Sequence, residues 1–439
     1  MVGPPAETPV NSGKPISLNL NVRGLGLSAT LAIDARCREL RAADRSIYDF
    51  GLGQSPFPVP APVVEALRQA AAEKDYLPVR GLPALREAIA TYYEEHERLD
   101  AHPQRVLVGP GSKELMFLLQ VVHYGEMLIP TPCWVSYMPQ AQILGRRISR
   151  IHTRFEEEWK LTAAALVRSI EAVHDDTRPR LIVMNYPANP TGCSYTGEEL
   201  GELAEIARRY QTIVLSDEIY GPLHHDGGHV SIARYYPEGT IISSGLSKWC
   251  GAGGWRLGTF VFPAQLEWLI DALANVASET YTSVCAPIQH AAVTAFRGGE
   301  QIERYLAHVR RILKTLGRRC HEVLTDAGLR IPVPDGAFYL FLDFSPFQDR
   351  LARRGICDGA TLCQGLLEDT GVAILPGAAF GRPRSELTAR LAYVDFDGER
   401  ALAASEILPL REPLPADFFE RHCGRVLEGA QKVAEWVAT

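Results

Sequence analysis

Short apolar runs alternate with amphipathic stretches through the middle of the chain. From about residue 80 onward, stretches such as Leu82–Glu95 and Lys113–Val122 have the hydrophobic spacing of helices. The apolar runs that are short enough for strands are Val106–Val108, Met127–Ile129, Leu181–Met184, Thr212–Leu215, Thr240–Ser243 and Gly258–Phe262. Because helices that alternate with such strands cover both faces of a sheet, the pattern predicts an α/β fold with a mostly parallel sheet.

The two ends of the chain follow a different pattern. Residues 1 to about 46 predict an irregular arm and a helix, Ala29–Ala43, and a Pro-rich loop, Ser55–Pro62, leads into a second helix, Val63–Lys74. The later predicted elements are a long amphipathic helix, three strands, a surface loop and a final helix: Gly299–Ala327, Phe338–Asp343, Val372–Leu375, Arg390–Asp395, Pro409–Pro415 and Pro415–Val437. We therefore predict an N-terminal arm and helix (1–47), a large domain (75–320), and a small α+β domain formed by 48–74 and 321–439.

Charge and cysteine content exclude several classes of partner. The chain has 439 residues, and its 45 Lys plus Arg against 52 Asp plus Glu leave no basic excess to bind nucleic acid or an anionic membrane. Residues 1–20 lack the apolar core of a signal peptide, and no apolar run approaches the roughly 20 residues of a membrane-spanning helix. Nine scattered cysteines without a CxxC pair predict reduced thiols, no metal site and a cytoplasmic location.

Lys248 follows the predicted strand Thr240–Ser243 in a loop of small residues. Segment 243–258 reads SSGLSKWCGAGGWRLG, with Arg256 after a pair of glycines. Small residues let a bulky ligand approach the backbone. A lysine in such a loop can also be an ordinary solvated side chain, so Lys248 alone does not define a site.

Two polar motifs follow neighbouring predicted strands. Asn189 begins NPTG after Leu181–Met184, and Asp217 begins DEIY after Thr212–Leu215. Open α/β sheets bind ligands at the carboxyl ends of their strands, where both motifs are expected. Taken singly, NPTG is also typical of a turn and Asp of a helix N-cap.

The ordered set NPTG, DEIY, SK and GWR resembles the fold-type-I pyridoxal 5′-phosphate (PLP) enzymes of the class I/II aminotransferase family, which are aspartate-aminotransferase-like. The resemblance covers about residues 48–400. It implies the PLP-dependent transferase fold of type I and PLP as cofactor. It also implies amino-group transfer between an L-amino acid and a 2-oxo acid, by a ping-pong mechanism through pyridoxamine phosphate.

The resemblance implies roles for residues around the cofactor ring. Lys248 matches the lysine that binds PLP covalently and then moves a proton, for which burial and the charge of Arg256 are expected to lower its pKa. Asp217 matches the carboxylate that keeps the ring nitrogen protonated. Tyr220 and Asn189 match hydrogen-bond donors to the ring hydroxyl oxygen. Trp134 matches the aromatic stacked on the ring, with a plain core residue as the alternative.

The start of the helix after Val106–Val108 is the expected phosphate site. Gly111 and Ser112 would supply backbone N–H groups and Arg256 a cation. Lys113 is interpreted as the solvent-facing first turn of this helix and left out of the site.

Gly245 departs from the family pattern. Many relatives carry a serine three positions before the PLP lysine, where this chain has Gly245. Ser243 or Ser247 is therefore expected to supply a hydroxyl to the phosphate, and Ser247 is the one we include in the site.

Tyr76 is the residue on which the expectation of a homodimer depends. In DYLPVRGLPALR (75–86), it matches the tyrosine that reaches the phosphate of a neighbouring subunit. The resemblance thus implies a homodimer with shared active sites, and a core tyrosine beside a helix is the alternative.

The expected substrate-binding residues are Gly53, Trp134, Asn189 and Arg390. Arg390 matches the arginine that binds the substrate α-carboxylate through two parallel hydrogen bonds. Segment 278–283, SETYTS, offers no arginine for a second carboxylate, which argues against strict aspartate specificity. Glu279 would favour a basic or hydroxylated side chain, or is simply an exposed helix-end residue.

The same residues would also serve a β-lyase, a decarboxylase or a PLP oxidase. A PLP-binding regulator is a further alternative, but it needs an N-terminal DNA-binding module. The first 47 residues contain no basic recognition helix. Transamination is the function that we predict.

Overall fold

The structure is a computed structural model that describes residues 18–173 and 177–439, so most of the predicted N-terminal arm lies outside the described residues. The described helices are α1 (Ala29–Ala42), α2 (Ala61–Gln69), α3 (Pro83–Glu97), α4 (Ser112–Val122), α5 (Tyr137–Ile143), α6 (Ala163–Glu171), α7 (Gly197–Arg209), α8 (Glu267–Ser278), α9 (Ala286–Arg297), α10 (Glu300–Asp326), α11 (Gln348–Arg353), α12 (Gly359–Thr370), α13 (Gly398–Glu406) and α14 (Phe418–Ala438). The described strands are β1 (Tyr48–Asp49), β2 (Val106–Gly109), β3 (Glu126–Thr131), β4 (Ile148–His152), β5 (Arg180–Asn185), β6 (Ile213–Asp217), β7 (Thr240–Gly245), β8 (Gly258–Val261), β9 (Tyr339–Asp343), β10 (Val372–Ala373), β11 (Leu375–Pro376) and β12 (Thr388–Ala392).

A seven-stranded sheet forms the centre of the molecule. Its order is β2-β8-β7-β6-β5-β3-β4, and every neighbouring pair is parallel except the two that involve β8. Side chains of β2, β7 and β8 are buried along the whole strand, because helices cover both faces. The predicted α/β fold with a mostly parallel sheet is confirmed.

The second part of the structure is built around smaller sheets. β9, β11 and β12 form an antiparallel sheet in the order β11-β12-β9. β1, near the N-terminus, pairs in parallel with β10, with Tyr48 opposite Val372. α2, by contrast, packs against α9, which follows the large sheet in the chain. The boundaries of the two domains stay a prediction.

Several predicted elements need correction. β4 was not predicted, since only Ile151 of this edge strand is buried and the strand shows no apolar run. The predicted strand Val372–Leu375 is divided between β10 and β11, which belong to different sheets. α2 ends at Gln69 rather than Lys74.

Within the described residues, no helix is long and apolar enough to cross a membrane.

Candidate active site

The carboxyl ends of β5, β6 and β7 bring the predicted motifs together. Asn185 at the end of β5 lies opposite Asp217 at the end of β6, and Asp217 lies opposite Ser243 in β7. The side chain of Asn185 donates to the carbonyl oxygen of Asp217 (2.8 Å) and accepts from the backbone N–H of Asn189 (2.8 Å). The Asn189 loop is thereby attached to the strand that carries Asp217.

Lys248 lies three residues beyond the end of β7 and is half-buried. Its Nζ donates to the carbonyl oxygen of Gly53 (2.6 Å) and lies 5.6 Å from the centre of the Tyr220 ring. Burial, followed by the charge of Arg390, lowers the pKa of Lys248 to about 8, although Asp217 opposes the shift. Arg256 also lowers the pKa, as expected from sequence, but its contribution is smaller than that of Arg390.

Asp217 has one carboxylate oxygen without a partner. Its Oδ2 accepts from the hydroxyl of Tyr137 (2.5 Å), and the backbone N–H of Ile219 also donates to the carboxylate. Its Oδ1 is buried and has no hydrogen-bond partner among the described residues. Burial raises the pKa of Asp217 to about 6. An unpaired acceptor at this depth fits a donor supplied by a ligand.

Two tyrosines of the site were not predicted. Tyr137 contacts Asp217, and its ring packs edge-to-face on Trp134 with centroids 5.4 Å apart. Tyr339, on β9, shares a hydrogen bond with Tyr220 through their hydroxyl groups (2.7 Å). Tyr137 could have been predicted, because it belongs to the same segment, TPCWVSY (131–137), as the predicted site residue Trp134. Nothing in the sequence near Tyr339 indicates its contact with Tyr220.

The start of α4 forms a cradle with Arg256. Gly111 is the N-cap and has φ +92°, and the Arg256 guanidinium donates to the carbonyl oxygens of Gly253 (2.9 Å) and Pro110 (3.4 Å). A Cβ on Gly111 would collide with that guanidinium. Arg256 itself adopts a left-handed backbone conformation (φ 55°), which is uncommon for a residue other than glycine. The start of a helix beside a cation suits an anion, although the N–H of Gly111 itself donates to the carbonyl oxygen of Gly109 (2.7 Å).

Gly245 has a structural explanation. An added Cβ would lie 2.5 Å from the carbonyl oxygen of Leu257, so a serine does not fit this backbone. Ser243 lies in the sheet opposite Asp217, and its buried Oγ has no partner among the described residues. Ser247 is half-buried, and its contact with a phosphate stays a prediction.

Lys113 lies close to a predicted site residue, Trp134. It is exposed, as interpreted, but its Nζ lies 5.0 Å from the centre of the Trp134 ring. The protein around its ammonium group excludes part of the solvent, and this partial desolvation together with the charge of Arg256 lowers the pKa of Lys113. The side chain thus places a cation beside Trp134.

Arg390 is a buried cation without an acidic partner. It is 1% exposed, and its NH1 donates to Asn189 Oδ1 (3.1 Å) while NH2 donates to the carbonyl oxygen of Gly51. Among the described residues its Nε has no hydrogen-bond partner, and the guanidinium contacts a side-chain amide and a backbone carbonyl rather than a carboxylate. A buried charge is costly unless it is paired, so this site fits a carboxylate from a ligand.

The remaining predicted residues are Gly53, Tyr76 and Glu279. A Cβ on Gly53 would collide with the hydroxyl of Tyr339, so a glycine is needed where the chain passes the site. Tyr76 is 90% exposed and is therefore not a core residue. Glu279 is exposed at the end of α8, in agreement with the simpler of its two interpretations.

These residues fit PLP. Lys248 offers an amine of lowered pKa, Asp217 offers an unpaired oxygen for a protonated ring nitrogen, and Gly111 with Arg256 offers a phosphate cradle. All three groups lie at one edge of the sheet.

Comparison with known proteins identifies the family. The family model described as aminotransferase class I and II matches residues 45–394. The chain belongs to this family. It is 33% identical to an aspartate aminotransferase of Bacillus subtilis, over 86% of this chain and 94% of that protein. It is 30% identical to an asparagine--oxo-acid transaminase of Streptococcus mutans, over 83% of this chain and 92% of that protein.

Solved structures support the same assignment. An aspartate aminotransferase from Thermus thermophilus, determined with maleate, superposes with a TM-score of 0.80 at 29% identity, over 95% of this chain and 99% of that one. This class I/II aminotransferase therefore has the fold of type I and uses PLP. It transfers an amino group between an amino acid and a 2-oxo acid, and the lyase, decarboxylase and oxidase alternatives find no such support.

Proposed function

We propose that Lys248, Asp217 and Tyr220 are the catalytic residues of this aminotransferase. The observation that carries the proposal is the unpaired Oδ1 of buried Asp217, on the strand next to the one that leads to Lys248. When bound, PLP withdraws electrons from the α-carbon of the amino acid. Asp217 would hold the proton of the ring nitrogen, and Tyr220 with Asn189 would donate to the ring hydroxyl oxygen.

Lys248 would hold the cofactor and move the substrate proton. With a pKa of about 8, its Nζ is neutral in a large share of molecules near pH 8 and can accept a proton from the α-carbon. The carbonyl of Gly53, which accepts from Nζ, fixes the direction of the amine. Trp134 would stack on the ring, while Gly111, Ser112, Ser247 and Arg256 would bind the phosphate.

Arg390 would bind the substrate α-carboxylate. Its guanidinium is fixed by Asn189 and Gly51, and rings of Tyr339 and Phe380 lie 4.7 and 5.0 Å from it. A preorganised fork of this kind sets the orientation of the α-carbon bonds. Gly53 would close over the same carboxylate.

We further propose an acidic amino donor of the aspartate type. The names of the relatives support it, and so does the position of Lys113 near Trp134, which supplies a cation for a second carboxylate. This donor differs from the expectation drawn from segment 278–283, where an arginine is missing.

We propose a homodimer that works in the cytoplasm. The 90% exposed side chain of Tyr76 supports a contact with the site of a second copy. The nine cysteines are all free, which suits a reducing compartment.

The direct test is the pair of variants Lys248→Ala and Asp217→Asn. Both are expected to lose transamination by at least about a thousandfold, and Lys248→Ala is expected to lose the visible absorbance of covalently bound cofactor. Lys432→Ala, on α14, is the matched control. Unchanged absorbance in Lys248→Ala would refute the proposal.

A further inference from the structure

Directly behind Asp217 lies a buried polar cluster that has no part in the proposed function. We call it the Glu218 cluster; it consists of Glu97, Ser216, Glu218, His229, Ser231 and Arg234. Glu218 is 3% exposed and Glu97 is 6% exposed, so two carboxylates are taken out of water next to a third, that of Asp217. Carboxylates so placed need charged partners.

Hydroxyl donors and a histidine hold the carboxylate of Glu218. Its Oε1 accepts from the hydroxyl groups of Ser216 (2.7 Å) and Ser231 (2.6 Å), and its Oε2 lies 3.0 Å from His229 Nε2. These contacts hold both oxygens of the Glu218 carboxylate in place. His229 is the cation in position to balance that charge, since its side chain is only 10% exposed.

The surroundings of His229 favour its protonated form. Burial lowers its pKa, but the hydrogen bond and charge of Glu218, together with the charge of Glu97, outweigh burial and raise the pKa above its ordinary value. Glu97 in turn accepts from Arg234 Nε (3.0 Å) and from the backbone N–H of Ser231 (3.0 Å). Each carboxylate of the cluster therefore has its own cation.

The Glu218 cluster is connected to Asp217 through the backbone and through its charge. The backbone links them, because Glu218 lies between Asp217 and Ile219, whose N–H donates to the Asp217 carboxylate, and Glu218 N donates to Ser243 of β7 (2.8 Å). The charge links them too, since a negative Glu218 raises the pKa of Asp217. Without His229 that repulsion would be unbalanced.

We propose that Glu218 and His229 are positioning residues for the cofactor: their buried ion pair holds the Asp217–Ile219 backbone and balances the charge beside it, so that Asp217 stays ionised for the ring nitrogen. The inference rests on the proposed role of Asp217. It assigns His229 no contact with cofactor or substrate.

His229→Gln separates charge from hydrogen bonding. The glutamine amide keeps an N–H donor for Glu218 Oε2 but removes the positive charge, so Asp217 is expected to take up a proton more readily. A change of one pKa unit at Asp217 corresponds to a tenfold loss in pairing with the ring nitrogen. Ser231→Ala removes one donor and no charge, and a loss of about threefold is expected.

The test compares two ligands for the apoenzyme by equilibrium titration of tryptophan fluorescence. One is PLP, and the other is its analogue with the ring nitrogen replaced by C–H. His229→Gln is expected to weaken PLP binding about tenfold and analogue binding less than about twofold. Glu126→Gln is the matched control. Glu126 is a fully buried carboxylate at the first residue of β3, whereas the site lies at the carboxyl ends of the strands, and it is paired with Arg147 (3.3 Å).

The outcomes separate this inference from the proposed function. If the wild type does not distinguish the two ligands, the role of Asp217 is wrong, and the inference falls with it. If the wild type distinguishes them and His229→Gln weakens both equally or neither, the inference alone is overturned. If His229→Gln fails to fold, the same comparison on Ser231→Ala decides, and a selective loss of PLP affinity supports the proposal.

Discussion

The buried guanidinium of Arg390 affects the charge of the half-buried amine of Lys248. Arg390 lowers the pKa of Lys248, and no described carboxylate neutralises Arg390. A substrate carboxylate at Arg390 would cancel this effect. Lys248 would then bind a proton more strongly once the substrate is in place, which suits an amine that must remove one from the α-carbon.

The uptake of PLP by the apoenzyme should report the pKa of Lys248. Only the neutral amine reacts, so the rate is expected to rise with pH and to level off above about 8, because the pKa is lowered to about 8. Arg390→Gln should move the midpoint to higher pH. Stopped-flow absorbance over pH 6–10 measures both; a wild-type rate that continues to rise towards the ordinary lysine pKa of about 10.4 would contradict the shift.

Arg390→Lys is expected to lower kcat/KM for the amino donor by about a hundredfold, since a lysine keeps the charge but not the two parallel hydrogen bonds. Steady-state kinetics are compared for an amino acid and for the matching primary amine, which lacks the carboxylate. The difference between the two substrates isolates the contribution of the contact between Arg390 and the carboxylate. The amine should be used equally poorly by both enzymes. Arg86→Lys, another buried arginine on α3, serves as control. A loss confined to kcat with both substrates would refute the assignment.

At the scale of elements, the site depends on where strands end and where α4 begins. β6 and β7 present Asp217 and the Lys248 loop at the same edge, and β8 returns antiparallel so that Gly258 packs on the first residues of α4. Arg256, just before β8, reaches the carbonyl oxygen of Pro110 by this route. The cradle proposed to bind the phosphate is thus assembled from two segments that are distant in sequence.

Gly111→Ala should weaken PLP binding at least about tenfold. The added methyl collides with the Arg256 guanidinium, and φ +92° is unfavourable for alanine. Gly254→Ala is a matched control, because a Cβ there meets nothing within 4 Å. Fluorescence titration of the apoproteins with PLP measures both, and equal affinities would show that Gly111 does not shape the cradle.

The sequence predicts strands that are buried along their whole length, including edge strand β2, better than the half-exposed edge strand β4. Leu181–Met184 is a continuous apolar run because β5 is covered on both faces, whereas edge strand β4 has no such run. Within the site, Asp217 and Lys248 could be predicted, because their motifs are recognised from their order along the chain. Tyr339 and His229 could not be predicted, because their partners Tyr220 and Glu218 meet them only through tertiary packing.

At the scale of the whole molecule, Tyr76 tests the proposed dimer with shared sites. Tyr76→Ala and Lys248→Ala should each be inactive or nearly so. If Tyr76 serves the partner's site, a heterodimer of the two variants has one site with both residues intact. Mixed subunits are then expected to recover about one quarter of wild-type activity by random assortment. No recovery, with dimers present by light scattering, would place Tyr76 outside the partner's site.

The central claim is tested most directly by a single turnover without an acceptor. The purified, PLP-loaded enzyme is mixed with aspartate or another amino acid, and the product is quantified per active site. The account predicts one equivalent of 2-oxo acid, loss of the visible absorbance of the bound cofactor, and retention of the amino group by the enzyme until a 2-oxo acid is added. Continuous release of ammonia, carbon dioxide or peroxide would contradict it.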